Sequence, residues 1–219
     1  MLRALLLVLA CGLVGCAAIR EARMAVPDGL AATAEESFGK ASWGRSGSFA
    51  LQGTGVRYER GADRLSLFEA FRYGKAPLRV QVDNGRHADC TARQGDISVG
   101  VVVAATQPWT LSCQWRGGDA PEGRLQIGEG RGQGMVQTRE GEYRRGDVVL
   151  TLRSVHRLEG SAFPQPAAVG YELLHGGRAV GSVDMSRGTP VLRRPDPATA
   201  MGQAVTEAAL ALALVWEPT

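Results

Sequence analysis

Cysteine, histidine and arginine are the residues through which this 219-residue chain could do chemistry. Cys90 and Cys113 both sit in segments of alternating polarity. In Ala88-Asp89-Cys90-Thr91-Ala92 the cysteine shares a face with two alanines, and Cys113 shares one with Trp109, Leu111 and Trp115. Both thiols therefore point to the apolar side, where paired or facing strands would join them in a disulfide. Closing that loop stabilises a fold by roughly 3 kcal/mol in the chain-entropy model. The competing use is a metal site built from His87, Cys90 and Cys113, which lacks a fourth ligand at a recognisable spacing. His87, His156 and His175 are scattered, and there is no His-Glu-x-x-His pattern. Gly44-Arg45-Ser46-Gly47-Ser48 misses the last glycine of a nucleophile elbow. Gly128-Glu129-Gly130-Arg131-Gly132-Gln133-Gly134 fits neither a P-loop nor a dinucleotide fingerprint. The residues predict no catalytic group, no metal and no cofactor.

Arginine dominates the basic residues, since Lys40 and Lys75 are the only lysines. The formal net charge is only +3, too small for a nucleic-acid partner. Arg57, Arg60, Arg64 and Arg72 have partners in the second half in Arg144, Arg145, Arg153 and Arg157, and Arg60 and Arg72 match Arg145 and Arg157 at one fixed offset. The candidate anion site is Arg60, Arg72, Arg145 and Arg157, because guanidinium forks match phosphate and carboxylate. A solvated face on a β domain is the competing reading.

The N-terminus supplies an address. Arg3 gives a short basic start, residues 5–10 are apolar, and Leu13-Val14-Gly15-Cys16 closes the run. This resembles the bacterial lipoprotein signal. The resemblance implies a diacylglycerol on the Cys16 thiol, cleavage before Cys16 and acylation of the new amino group. Ala17, where an aspartate would tend to retain the protein in the inner membrane, implies the periplasmic face of the outer membrane. The alternative is an ordinary secretory signal and a soluble periplasmic protein. The apolar run is too short to span ~30 Å of hydrocarbon as a helix.

Those residues must be positioned by a fold rich in β structure: glycine is abundant, at 29 residues, and helix-forming runs are scarce before the C-terminus. Residues 1–15 are read as the signal, 16–45 as the lipidated Cys and a tether, and 46–219 as one β domain. About twelve strands are expected. The clearest hairpin is Leu78–Asp83, turning at Asn84-Gly85, where Asn-Gly suits a type I′ turn. Ile97–Ala105 reads as a central strand buried on both faces, and Met135–Arg139 as a strand of the second half. Tyr58-Glu59-Arg60-Gly61 matches Tyr143-Arg144-Arg145-Gly146 at an offset of 85 residues, which suggests two similar halves, 46–118 and 123–219. Asp196-Pro197 should cap a final helix over Ala198–Trp216, apolar all round and hence buried.

A duplicated sheet followed by a buried C-terminal helix is similar in outline to the tubby-like barrels, which wrap a terminal apolar helix. A two-sheet sandwich with the helix across an open end explains the same pattern. The sequence leads to a lipid-anchored envelope protein with a structural or partner-binding role, its partners the membrane and an envelope protein or anionic lipid. A lipid- or anion-binding module, or a periplasmic hydrolase whose site is assembled from distant residues, are the alternatives.

Overall fold

The computed structural model describes residues 21–39, 44–67, 71–99, 102–131 and 136–217. The expected signal and Cys16 lie outside them. Among the described residues thirteen strands precede one helix. They are β1 (Glu36–Ser37), β2 (Ser46–Leu51), β3 (Thr54–Arg60), β4 (Asp63–Leu67), β5 (Phe71–Val82), β6 (His87–Val99) and β7 (Val102–Arg116). After these come β8 (Gly123–Glu129), β9 (Arg139–Arg145), β10 (Val148–Val155), β11 (Gly170–His175), β12 (Arg178–Asp184) and β13 (Val191–Arg193). The helix α1 is Ala200–Leu214.

All pairings are antiparallel, in the order β1-β13-β12-β11-β10-β9-β8-β7-β6-β5-β3-β2, with β4 also on β5. This meander curls until its two edges, β1 and β2, face each other. Side chains bridge the seam. Gln52 Nε2 donates to Glu36 Oε1 at 2.7 Å, Arg194 donates to both residues, and Phe38 stacks on Phe49 with ring centroids 5.4 Å apart. The result is a nearly closed barrel and not a sandwich.

Strand alternation fills the interior. Val56 and Tyr58, Leu78 and Val80, Trp109, Leu111 and Trp115, Leu125 and Ile127 all turn inward and are buried. The helix runs through the lumen and is buried without a break from Glu207 to Leu214. That explains a helix apolar on every side. Its alanines let the wall close around it, and each buried Leu or Val contributes about 1.5–3 kcal/mol as an upper estimate. Close approach also explains some glycines: a Cβ on Gly181 would come within 2.4 Å of Val205 Cγ1 on the helix.

Several local expectations change. Asn84-Gly85 does make the β5–β6 hairpin, but only Gly85 has positive φ, at 82°. Gly85 N–H donates to the Val82 carbonyl, so the loop has three residues with a bulge at Gly85 and is not type I′. Gly176-Gly177, with φ of 57° and 80°, has the type I′ signature instead. Ile97–Ala105 is not one central strand; it spans the far ends of β6 and β7, which pair with each other through Val99↔Val102. A continuous apolar run does not distinguish a buried strand from two halves of a hairpin. Met135 lies outside the described residues, and Arg139 begins β9. The helix is capped three residues later than expected, because Thr199 Oγ1 accepts from Gly202 N–H at 3.0 Å. Asp196 caps only a preceding turn, through Ala198 N–H.

The described part of the expected tether, 21–39, is packed onto the barrel. Met24, Leu30 and Phe38 are buried there, Met24 bridges to Leu158, and β1 pairs with β13. Apolar residues spaced among polar ones were enough to seat the segment against the wall. The Cys90–Cys113 disulfide joins directly opposed residues of β6 and β7, with Cα atoms 4.0 Å apart.

Candidate functional site

Antiparallel order decides which strand ends share a rim. The turns β2–β3, β5–β6, β7–β8, β9–β10 and β11–β12 lie together at one rim, with the helix N-terminus. The helix C-terminus, residues 21–25 and the loop between β10 and β11 lie at the other.

The first rim holds a cavity of about 410 Å³. Leu51, Val56 and Val82 form an apolar wall, Leu210 forms its floor, and Arg86, Arg145, Arg194, Glu207 and Thr206 supply polar groups. Glu207 is the centre of a buried cluster. Arg86 donates from Nε and Nη2 to its two carboxylate oxygens, at 3.0 and 3.1 Å. Arg86 Nη1 also donates to the Gly117 carbonyl at 2.8 Å, tying the β7–β8 turn to the helix. Tyr143 donates its hydroxyl to Glu207. Burial, reinforced by the adjacent Glu207 carboxylate, raises the Tyr143 pKa, so the phenol keeps its proton. Arg145 Nε lies 3.5 Å from Glu207, Nη2 donates to Gln203 at 2.6 Å, and Nη1 reaches the Ala200 carbonyl.

Charge capacity differs among the three arginines. Arg194 is engaged by Glu36, Gln52 and Thr206. Arg86 spends its fork on Glu207 and two carbonyls. Arg145 shares a carboxylate already held by Arg86, and its Nε has no hydrogen bond. A guanidinium offers five donors. Arg145 therefore has the largest unmet demand for an anion. Beside it stand apolar walls, a combination that suits a small molecule with an anionic head and an aliphatic body.

The four arginines expected to form an anion site are not brought together. Arg60 is buried at the opposite end of the helix, where Nη1 donates to the Leu214 carbonyl at 3.0 Å and the guanidinium lies over the Tyr58 and Trp216 rings. Arg72 on β5 and Arg157 in the loop after β10 are both exposed, and those strands are far apart in the order of the wall. Of the four, Arg145 alone lines the cavity. Arg86, Arg194 and Glu207 had not been singled out. The one available signal was Glu207 itself, the only charged residue of the helix Ala200–Leu214, which implies a buried cation opposite it.

A second constellation lies at the other rim. Ser154 Oγ is 2.8 Å from His156 Nε2, and His156 Nδ1 is 3.0 Å from the Gln165 carbonyl. The carbonyl requires a proton on Nδ1, which leaves Nε2 to accept from the serine. Ser154 Oγ also accepts from Arg139 N–H. This is a serine oriented on a histidine, but neither residue lines any of the five principal cavities among the described residues. His87 is exposed, and His175 lies 2.9 Å from the Val149 carbonyl. Among the described residues no group of three or more His, Cys, Asp or Glu is placed to hold a metal ion, and the Cys90 and Cys113 thiols are committed to each other.

No family model matches the chain, and no similar curated protein or solved structure was found.

Proposed function

We propose that the chain is a lipid-anchored protein of the cell envelope whose barrel is a non-catalytic binding module. Its anchor is Cys16 and its binding site is the cavity beside Arg145. One observation carries the reading: residues 21–25 are tied to the rim opposite the cavity. Ala25 N–H donates to the Arg157 carbonyl, Glu159 N–H donates to that of Arg23, and Met24 N–H donates to Asp184. Only four residues separate Cys16 from Glu21. An anchor there holds the domain with its cavity directed away from the bilayer, toward whatever the periplasm presents. The ligand class is a small anionic amphiphile, its head against Arg145 and its aliphatic part against Leu51, Val56 and Val82.

The anchor is tested by intact mass of membrane-derived protein, wild type against Cys16→Ala. A diacylglycerol and an acyl chain on a product starting at Cys16, lost in the variant, supports it. The cavity is tested with dodecyl phosphate in a thermal-shift titration. Stabilisation that disappears in Thr54→Trp, a larger side chain at a cavity-lining position that makes no contact in the Glu207 cluster, supports the binding reading; no stabilisation of the wild type sinks it. The Ser154–His156 pair favours one further reading, a hydrolase. Turnover of short-chain esters that is lost in Ser154→Ala would establish that reading in place of the first.

A further inference from the structure

The rim opposite the cavity extends into a flap. β8 leaves β7 at the Thr110↔Gly128 pair, and β3 leaves β5 at Leu78↔Arg60. Beyond those points β5, β6 and β7 continue together, with β4 added along β5. Register gives the flap two unlike faces. Leu65 stands opposite Tyr73, and Ile97 opposite Ala104, and the β5–β6 register puts these four on one face. The intervening rows hold Arg64, Arg72 and Asp96. Behind the apolar rows, on their own face, Asp63, Lys75 and Arg93 form one row across β4, β5 and β6, with a net charge of +1. Leu65 is 53% exposed. Its counterpart in exposure is Phe163, at 77%, on the loop between β10 and β11 at this same rim. Both large apolar side chains that stand out from the described surface thus lie at one end of the barrel.

The chain's own N-terminus names what meets that end. A five-residue step from Cys16 to Glu21 reaches at most about 17 Å when fully extended. The flap continues for about seven residues past the wall. At ~3.4 Å per residue and a barrel tilt near 40°, that carries its tip roughly 18 Å along the axis. A domain tethered this closely brings the flap to the membrane. We infer that the apolar face of the β4–β7 flap, with Phe163, inserts into the headgroup region of an anionic bilayer, Lys75 and Arg93 lying against the headgroups. Aliphatic and aromatic side chains ahead of a row that holds Lys75 and Arg93 match the depth profile of a bilayer interface, although Asp63 offsets one of the two charges. The flap adds a second point of attachment at the rim that the anchor already turns toward the bilayer. This rests on the anchor reading for its geometry, but the surface can be tested without it.

The test uses full-length protein from membranes, each sample first weighed for acylation, with one environment-sensitive fluorophore on Leu65→Cys, Phe163→Cys or Asp147→Cys. Asp147, in the β9–β10 turn, reports the opposite rim. The samples are reconstituted into phosphatidylethanolamine–phosphatidylglycerol vesicles carrying lipid-borne quenchers. Acylated protein with blue-shifted, strongly quenched probes at 65 and 163, and an unaffected probe at 147, supports the inference. Acylated protein whose probes at 65 and 163 remain in water overturns it while the anchor reading stands. If the protein carries no acyl chain, the anchor reading fails. Binding of that protein to added vesicles then decides the flap alone: quenching at 65 that weakens about tenfold or more in apparent partition with Leu65→Glu supports it, and no quenching overturns it. A blue shift at 65 that needs protein concentration and no lipid makes the flap a self-association surface and overturns the inference.

Discussion

Glu207→Ala is expected to be the most damaging single change in the cluster at the helix N-terminal half. Arg86 and Glu207 have side chains only 4% and 8% exposed, so neither charge can turn to water. Removing the carboxylate strands two guanidiniums, Arg86 and Arg145, and leaves the Tyr143 hydroxyl without its acceptor. Breaking one partner of a buried pair costs about 3–5 kcal/mol. For a domain of this size each kcal/mol lowers Tm by roughly 2–4 °C, so the variant should melt about 6–20 °C below wild type. Glu207→Gln keeps an acceptor for Arg86 and Tyr143 and removes the charge, so it should lose about 1.5–3 kcal/mol. Replacing the pair together, Arg86→Met with Glu207→Leu, should recover much of the loss, because the cost lies in an uncompensated charge and less in the missing attraction. Urea denaturation followed by far-UV circular dichroism, with the disulfide intact, measures all three. A Glu207→Ala loss below about 1 kcal/mol, or a double variant worse than the single one, would refute the reasoning.

Three further outcomes follow from the packing and electrostatics. Replacing Cys90 and Cys113 together with alanine should cost about 3 kcal/mol in the same denaturation experiment, since the disulfide closes a loop with a sequence separation of 23. Gly181→Ala should destabilise because its Cβ would meet Val205 on the helix and the Arg193 carbonyl at 3.0 Å, and Gly181→Ala combined with Val205→Ala should recover part of the loss. Hydrogen bonding from Arg187, partly opposed by burial, holds the Glu35 carboxyl below its ordinary value of 4.5. Its contribution is therefore complete above pH ~4.5 and is lost as pH falls through the lower folded value. Glu35 also receives Arg193, so residues 21–39 should become protease-sensitive on acidification. Glu35→Gln should show that sensitivity at neutral pH already; equal profiles for the two proteins would remove Glu35 from the account.

Much of the architecture was legible because it is written in period and position. The alternation around Cys90 and Cys113 placed both thiols inside before any pairing was known, and β6 and β7 then put them opposite each other. A helix apolar on every face had to be enclosed, and the barrel encloses it. What could not be read was closure. Whether a meander ends as a sandwich or a barrel depends on the contact between its first and last strands. Here that contact is made by Glu36, Gln52 and Arg194, polar residues that look like ordinary surface in sequence. The segment 21–39 escaped for a related reason, because its anchors Met24, Leu30 and Phe38 are too widely spaced to form a periodic pattern.

The repeated Tyr-x-Arg pattern shows how a sequence signal can be sound and its first meaning incomplete. The two copies sit at the ends of β3 and β9, strands that run in opposite directions around the barrel. Tyr58 and Tyr143 both turn into the core, and each arginine follows onto the interior at its own rim. Arg60 meets the last turn of the helix through the Leu214 carbonyl, and Arg145 meets the first through Ala200 and Gln203. The strands that follow pair differently, β10 folding back on β9 while β4 adds to β5. The pattern therefore does one physical job twice, gripping an enclosed helix at both ends. The ends are electrically unlike. At the C-terminus Arg60 finds carbonyl oxygens and the negative end of the helix dipole, so its charge is met by the backbone. At the N-terminus the dipole repels Arg145, and Glu207 must serve both it and Arg86. The asymmetry of the helix, imposed on a near-symmetric pair of arginines, is what leaves the cavity end short of negative charge and suited to an anionic ligand.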